Sequence, residues 1–234
     1  MSRVFFDKDF FQMSDRTVPV IAIDGPTASG KGTVAARVAE ALGFHYLDSG
    51  ALFRLAALAC LEKGVDLTDE QACAALAGAM NPVFEAGEIL LDGRAVTQAI
   101  RAEQVGLAAS KIAVLPAVRK ALFELELRAR RAPGLVADGR DMASVVFPDA
   151  ALKVFLTASA EARAMRRYKQ LIEKGVSANL SNLTRDLQER DRRDRERPVS
   201  PCVPAPDALV LDSSDLSIEA TVGQVLSWWQ ARVR

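Results

Sequence analysis

Apolar residues in this chain recur in two rhythms, and the alternation between them outlines a fold. Val20-Ile21-Ala22-Ile23-Asp24 is a short run rich in β-branched residues, which predicts a buried strand ending in a carboxylate. Beyond a glycine-rich stretch, Val34, Val38 and Leu42 repeat at helical spacing until Gly43 closes the segment. His45 reads as a packed residue at a strand edge. Asp48-Ser49-Gly50 opens a second helix, about Ala51 to Lys63, with Leu52, Leu55, Ala56 and Ala59 suited to burial and Gly64 as its stop. Thr68-Asp69-Glu70-Gln71 reads as the cap and first turn of a third helix. Pro82-Val83-Phe84, Glu88-Ile89-Leu90-Leu91 and Arg94-Ala95-Val96 are separated by the turn dipeptides Ala86-Gly87 and Asp92-Gly93, and predict a small antiparallel meander. Pro116 starts a strong helix with Val118, Ala121, Leu122 and Leu125 on one face, ended by Pro133-Gly134. Three more strands follow at Leu135–Asp138, Lys153–Leu156 and Ala208–Asp212. A helix from Glu161 to Lys174 ends at Gly175. A final helix carries Ile218, Val222, Val225, Leu226 and Trp229 on one side, with Trp228 and Trp229 as packing and rim.

Strands alternating with helices imply an α/β fold of three layers, a central parallel sheet covered on both faces. The meander and the charged stretch 175–200 read as insertions on that core. The 234 residues can bury a substantial core. Residues 1–18 read as an N-terminal extension, expected to be poorly ordered or a short docking segment. Its aromatics, Phe5, Phe6, Phe10 and Phe11, are interrupted by Asp7, Lys8 and Asp9, so it lacks a signal peptide's apolar stretch. Residues 19–234 read as one domain. Its core is 19–64, 104–174 and 201–234, with an insertion at about 65–103.

Charge and composition narrow the function. The formal net charge is zero, so no global field draws the chain to nucleic acid or membrane. No segment reaches the roughly 18 apolar residues that span a bilayer. Three separated cysteines (Cys60, Cys73, Cys202) read as small core residues, suit a reducing cytoplasm and offer no zinc motif. A single histidine cannot build a metal cluster or a histidine triad.

The most informative chemistry lies at Gly25-Pro26-Thr27-Ala28-Ser29-Gly30-Lys31-Gly32-Thr33, directly after the first strand. Glycines let successive backbone N–H groups turn inward on phosphate oxygens. Lys31 can reach the β- and γ-phosphates, Thr33 can hold Mg2+, and the following helix adds the positive end of its dipole. A second group is Asp138-Gly139-Arg140-Asp141, at a strand end where such sheets place their ligand crevice. Asp138 could organise Mg2+ through water, Arg140 could hold a phosphate, and Asp141 could accept bonds from a base or sugar; the alternative is a turn with a surface ion pair. A third is the run Arg190 to Arg197, whose helical spacing gathers Arg190, Arg193 and Arg197 with Asp194 beside Arg190. The alternative there is a solvated helix laced by Glu189–Arg193 and Asp191–Arg195 pairs. The fourth is Ser49 with Arg54, one turn apart at a helix N-terminus that could take a phosphate.

Together these stretches resemble the bacterial-type cytidylate kinases, a branch of the nucleoside monophosphate kinases with a P-loop core. The resemblance runs from about Val20 to the C-terminus. It rests on IDGPTASGKGT at 23–33, LDSGALFR at 47–54, ADGRDMASVVFPDA at 137–150, ERDRRDRERPVSP at 189–201 and ALVLDSSDLSIE at 208–219. It implies transfer of the γ-phosphoryl group of ATP to CMP or dCMP with Mg2+, in a cytoplasmic monomer. It also implies a monophosphate-binding insertion containing the meander and a mobile helical lid at about 175–200. By the same resemblance Ser110, Arg119 and Asp141 would read the cytosine edge. Ser49, Arg54, Arg140 and Arg190 would surround the acceptor's phosphate. Asp194, held by Arg190, would meet the sugar hydroxyls, and Arg193 and Arg197 would close over the transferring group. Phe53 stands where the family usually has tyrosine. A GTP-dependent switch would carry an Asn-Lys-x-Asp guanine reader, and an ATPase motor a strand ending in Asp-Glu; the sequence has neither. A kinase for a small alcohol would want a carboxylate base and fewer arginines.

Overall fold

The computed structural model describes residues 18–85, 88–173 and 175–233. The N-terminal extension and the Ala86-Gly87 turn fall outside the described residues. By compactness the chain divides into two units: residues up to 47, 129–196 and 202 onward, and residues 48–128 with 197–201. The segments 48–64 and 104–128 therefore group with the meander.

The first unit is built on five strands in the order β2-β6-β1-β7-β8. They are β1 (Val20–Asp24), β2 (His45–Asp48), β6 (Leu135–Gly139), β7 (Leu152–Thr157) and β8 (Leu209–Asp212). β1 pairs in parallel with β6 on one side, Ile21 opposite Val136 and Ile23 opposite Asp138, and with β7 on the other. Every residue of β1 and β6 is buried, which is why both read as unbroken apolar runs rather than alternating ones. α1 (Lys31–Leu42) and α8 (Ile218–Arg232) cover one face of the sheet. Val34, Val38, Val225 and Trp229 pack there on Ile21, Ile23, Val154 and Leu156. Phe44 meets Trp229 edge-on with ring centres 5.7 Å apart. His45 Nε2 lies 2.9 Å from the Ala132 carbonyl oxygen, a structural bond at the strand edge.

The second unit combines α2 (Ser49–Glu62), α3 (Glu70–Ala79), α4 (Glu103–Ile112) and α5 (Pro116–Arg128) with the antiparallel meander β3 (Pro82–Glu85), β4 (Glu88–Leu91) and β5 (Arg94–Ala95). Asp48 caps α2 by accepting from Ala51 N at 3.0 Å, and Asp69 caps α3 in the same way. Leu52, Leu55, Ile112, Val118 and Leu122 form its interior.

One sequence expectation needs correction, and one helix was not anticipated. α5 stops at Arg128, short of Pro133. Arg130 is buried, and its guanidinium turns to the Val18 carbonyl at 2.9 Å and Asp149 at 2.8 Å, a position that continued helix would not supply. α4 itself carried no sequence expectation, because Gly106 and short polar residues dilute its apolar stripe.

Candidate active site

The loop between β1 and α1 takes its shape from three positive-φ residues, Gly25 (155°), Ala28 (60°) and Gly30 (89°). A Cβ on Gly25 would stand 2.0 Å from the Leu156 carbonyl oxygen, so glycine is required for the loop to press against β7. At Gly30 there is open space, and the left-handed backbone alone favours glycine. Lys31 is buried, and its ammonium donates to the Pro26 carbonyl at 3.3 Å. Ser29 is buried at 1% exposure, with no hydrogen-bond partner for Oγ among the described residues. An orphaned hydroxyl, a lysine and a helix N-terminus make an anion cradle.

The ends of β1 and β6 supply carboxylates beside it. Asp138 is buried and accepts from the Tyr46 hydroxyl at 2.5 Å. A Cβ on Gly32 would lie 3.5 Å from Asp138 Oδ2 and 3.4 Å from the Tyr46 oxygen, so this carboxylate adjoins the turn that carries Thr33. Asp24 accepts backbone N–H bonds from Met142 and Ala143, 2.8 Å each, at the start of a π-helical turn (Met142–Val146). Burial pushes its carboxyl up to about 6 against those two bonds, with Asp141 adding to the rise and Lys31 opposing it. Asp141 is itself buried, and its backbone carbonyl accepts from Val145 and Val146.

Arg140 donates from Nε to Asp194 at 3.1 Å and from a terminal nitrogen to the Thr27 hydroxyl at 2.7 Å. Burial works most strongly against its charge, but Asp194, Cys202 and Asp138 together outweigh that cost and the guanidinium is held above its ordinary range. Asp194, expected beside Arg190, forms an ion pair with Arg140. The Cys202 backbone N–H donates to the Asp194 carbonyl at 2.8 Å, and burial pushes the Cys202 thiol up to about 11. A cavity of about 330 Å³ is lined by Pro26, Arg163, Asp191, Asp194 and Cys202, among others.

The charged run forms α7 (Leu180–Glu196), preceded by α6 (Ala160–Glu173). Asp191 does not serve Arg195, as helical spacing had suggested, but receives two bonds from the buried Arg163 of α6. Arg193 is exposed and has no ion pair among the described residues. α7 ends at Glu196, so Arg197 lies just past it, where Nε donates to the Ser200 carbonyl.

The expected acceptor-side residues of the second unit sit as follows. Ser49 is buried and donates to Glu126 Oε1 at 2.5 Å. Arg54 donates to the Ile100 carbonyl at 2.9 Å, and a Cβ on Gly106 would come within 3.0 Å of its guanidinium. Ser110 donates to the Gly106 carbonyl at 3.2 Å. Arg119 donates to the Ala113 carbonyl and stacks 5.5 Å above the Phe53 ring.

Sequence reasoning passed over Asp24, Tyr46, Glu126, Arg163 and Arg166 as site residues. Two of them left a signal. Glu126 continues the buried Val118-Leu122 stripe at the next i+4 position, a carboxylate where an apolar residue belongs. Asp24 closes a fully buried strand.

A family model for cytidylate kinase matches residues 21–231. A protein named cytidylate kinase from Bordetella bronchiseptica is 60% identical over 213 residues, covering 91% of this chain and 96% of its own length. One of the same name from Cupriavidus necator is 59% identical over 214 residues, covering 92% and 96%. Among solved structures, an uncharacterized protein from Eubacterium ventriosum superposes with a TM-score of 0.50 at 12% identity, over 92% of this chain and 99% of that one, which speaks to fold alone. The phosphate cradle, the arginine-rich run and a match spanning nearly the whole chain converge: this protein belongs to the cytidylate kinase family.

Proposed function

We propose that the protein transfers the γ-phosphoryl group of ATP to CMP or dCMP, giving ADP and CDP or dCDP, in pyrimidine nucleotide metabolism. The observation that carries this reading is the anion cradle at Gly25–Thr33, buried Lys31 included, in a chain of this family. An acceptor phosphate oxygen attacks the γ-phosphorus, and the bond to the β,γ-bridging oxygen breaks, leaving its electron pair on ADP. The attacking oxygen is already ionised near neutrality, because the second pKa of a phosphate monoester is about 6. No general base is required, which suits a chain whose single histidine is occupied at a strand edge. The difficulty is to bring two polyanions into line, and positive charge from Lys31 and the arginines offsets it.

In this reading the backbone of Gly25, Pro26, Thr27, Ala28, Ser29, Gly30, Lys31, Gly32 and Thr33 holds the donor phosphates. Ser49, Arg54, Arg140 and Arg190 take the acceptor's phosphate. Ser49 donates its one hydroxyl proton to Glu126, so it serves the phosphate only by turning that O–H away from Glu126, and the arginines carry the charge. Asp141, Ser110 and Arg119 read the base, Asp194 meets the sugar, and Arg193 and Arg197 act on the transferring group. The exposed position of Arg193, with no ion pair among the described residues, supports that role.

Mg2+ would be held by Thr33 and, through water, by Asp138. The fit rests on hard oxygen donors and on the closeness of Asp138 to the loop's end. Bound there, the ion would neutralise charge on the donor phosphates. Among the described residues no group of three or more His, Cys, Asp or Glu side chains is placed to hold a metal ion. No helix among them is long and apolar enough to cross a membrane. A cytoplasmic monomer is the setting we infer. Phosphorus NMR of a mixture of ATP and CMP tests the reading: CDP and ADP should appear in equal amounts. Formation of ADP and free phosphate alone would reject CMP as the acceptor.

A further inference from the structure

Arg163 is buried at 3% exposure and has no place among the groups expected to touch nucleotide. Its Nε donates to the Ala158 carbonyl at 2.9 Å, at the junction of β7 and α6. One terminal nitrogen donates to the Thr27 carbonyl at 2.9 Å, and both donate to the Asp191 carboxylate of α7. One turn further along α6, Arg166 donates to the Ser29 carbonyl at 3.4 Å and to the Ser213 carbonyl. The two arginines thus hold alternate carbonyls of the phosphate loop.

A planar trans peptide points its C=O and the next residue's N–H in opposite directions. Drawing the Thr27 carbonyl toward α6 therefore turns the Ala28 N–H the other way. Drawing the Ser29 carbonyl does the same for Gly30. Ala28 and Gly30 are the loop residues at φ 60° and 89°, the handedness that successive N–H groups adopt around an anion. Ala28 holds that conformation without the freedom of glycine, so something outside the loop must keep it there.

We propose that Arg163 is a positioning residue for the donor phosphates: from behind the loop it fixes the Thr27 carbonyl, aims the Ala28 N–H at the bound phosphate, and through Asp191 ties α7 to the same loop. This rests on the nucleotide-kinase reading for its ligand, but not on which monophosphate accepts. Among the described residues Arg163 hydrogen-bonds to carbonyls and one carboxylate, so its larger effect should fall on ATP through the loop, with a smaller one on CMP through Asp191 and α7.

The test is calorimetry of Arg163→Met and Arg163→Lys with a non-hydrolysable ATP analogue and Mg2+, and separately with CMP, beside steady-state rates. Arg163→Met should weaken the ATP analogue about tenfold, lower kcat about thirtyfold and leave CMP affinity within twofold. Lysine can make one bond to the Thr27 carbonyl but cannot also answer Asp191 with two, so Arg163→Lys should recover only part of both losses. If Arg163→Met does not fold, Arg163→Lys decides alone, with ATP-analogue affinity down at least threefold and CMP affinity within twofold. Equal losses for both nucleotides, or no loss for either, would overturn the proposal. A wild type that binds the analogue but fails to phosphorylate CMP would reject the acceptor reading and leave the ATP-binding comparison intact.

Discussion

Asp24 stands where burial and hydrogen bonding oppose each other most directly, and its consequence can be worked through. Its carboxyl is raised from an ordinary 3.8 to about 6 by burial. That is about 2 units at 1.36 kcal/mol each, or about 3 kcal/mol in all. The folded state holds this proton more tightly than the unfolded chain. The contribution is therefore fully present below pH 4 and is lost as the pH rises through 6. Between pH 4.5 and 7.5 the loss should be about 2 kcal/mol, because part of the unfolded-state titration is already complete at the lower limit. Asp24→Asn removes the titration. The amide offers one oxygen to the two N–H groups of Met142 and Ala143, so one is left unpaired, at a pH-independent cost of about 1–3 kcal/mol. Urea unfolding of both proteins across that range gives the difference, in which other titrations cancel. The advantage of wild type over Asp24→Asn should shrink by about 2 kcal/mol as the pH rises. A difference that stays constant, or grows, would show that Asp24 ionises in the ordinary carboxylate range and that burial does not dominate its environment.

Three substitutions, one of them with a control, probe the site in other ways. Lys31→Met should fold and lose at least a hundredfold in turnover, since one electrostatic contribution to such a transition state is worth about 3 kcal/mol; a folded variant keeping a tenth of wild-type turnover removes Lys31 from the mechanism. Asp141→Ala should weaken CMP more than ATP in calorimetry, and equal losses would contradict its assignment to the acceptor's base. Gly25→Ala puts a methyl group 2.0 Å from the Leu156 oxygen and should cost ATP affinity more than tenfold, whereas Gly43→Ala, at φ 65° in open space, should cost about 1 kcal/mol of stability and leave ATP binding alone. Comparable ATP loss in both glycine variants would mean that the loop's approach to β7 is not what the glycine serves.

The sheet was legible because β1 and β6 are buried along their length and β7 along most of it, so that apolar residues dominate all three. The phosphate loop was legible because its chemistry is local: a strand, a turn and a helix within two dozen residues. What the sequence hid is long-range pairing of charge. Asp191 and Arg195 have ideal helical spacing, yet Asp191 goes to Arg163, which desolvation makes the more demanding partner: a buried guanidinium without an acid would be far costlier than an exposed one. Arg140 likewise reads as a phosphate ligand from its place at a strand end, but only the folded chain shows that Asp194 and Thr27 share it. Tyr46 and Asp138 are 92 positions apart, and nothing local announces their bond.

The central claim is the identity of the acceptor. A coupled assay of ADP release, run with ATP and Mg2+ against CMP, dCMP, UMP, AMP and shikimate, tests it most directly. CMP or dCMP should support the highest kcat/KM, UMP should trail, and AMP and shikimate should give no rate above ATP hydrolysis. A preference for AMP or shikimate over the cytidine nucleotides would contradict the account, whatever the state of the phosphate loop.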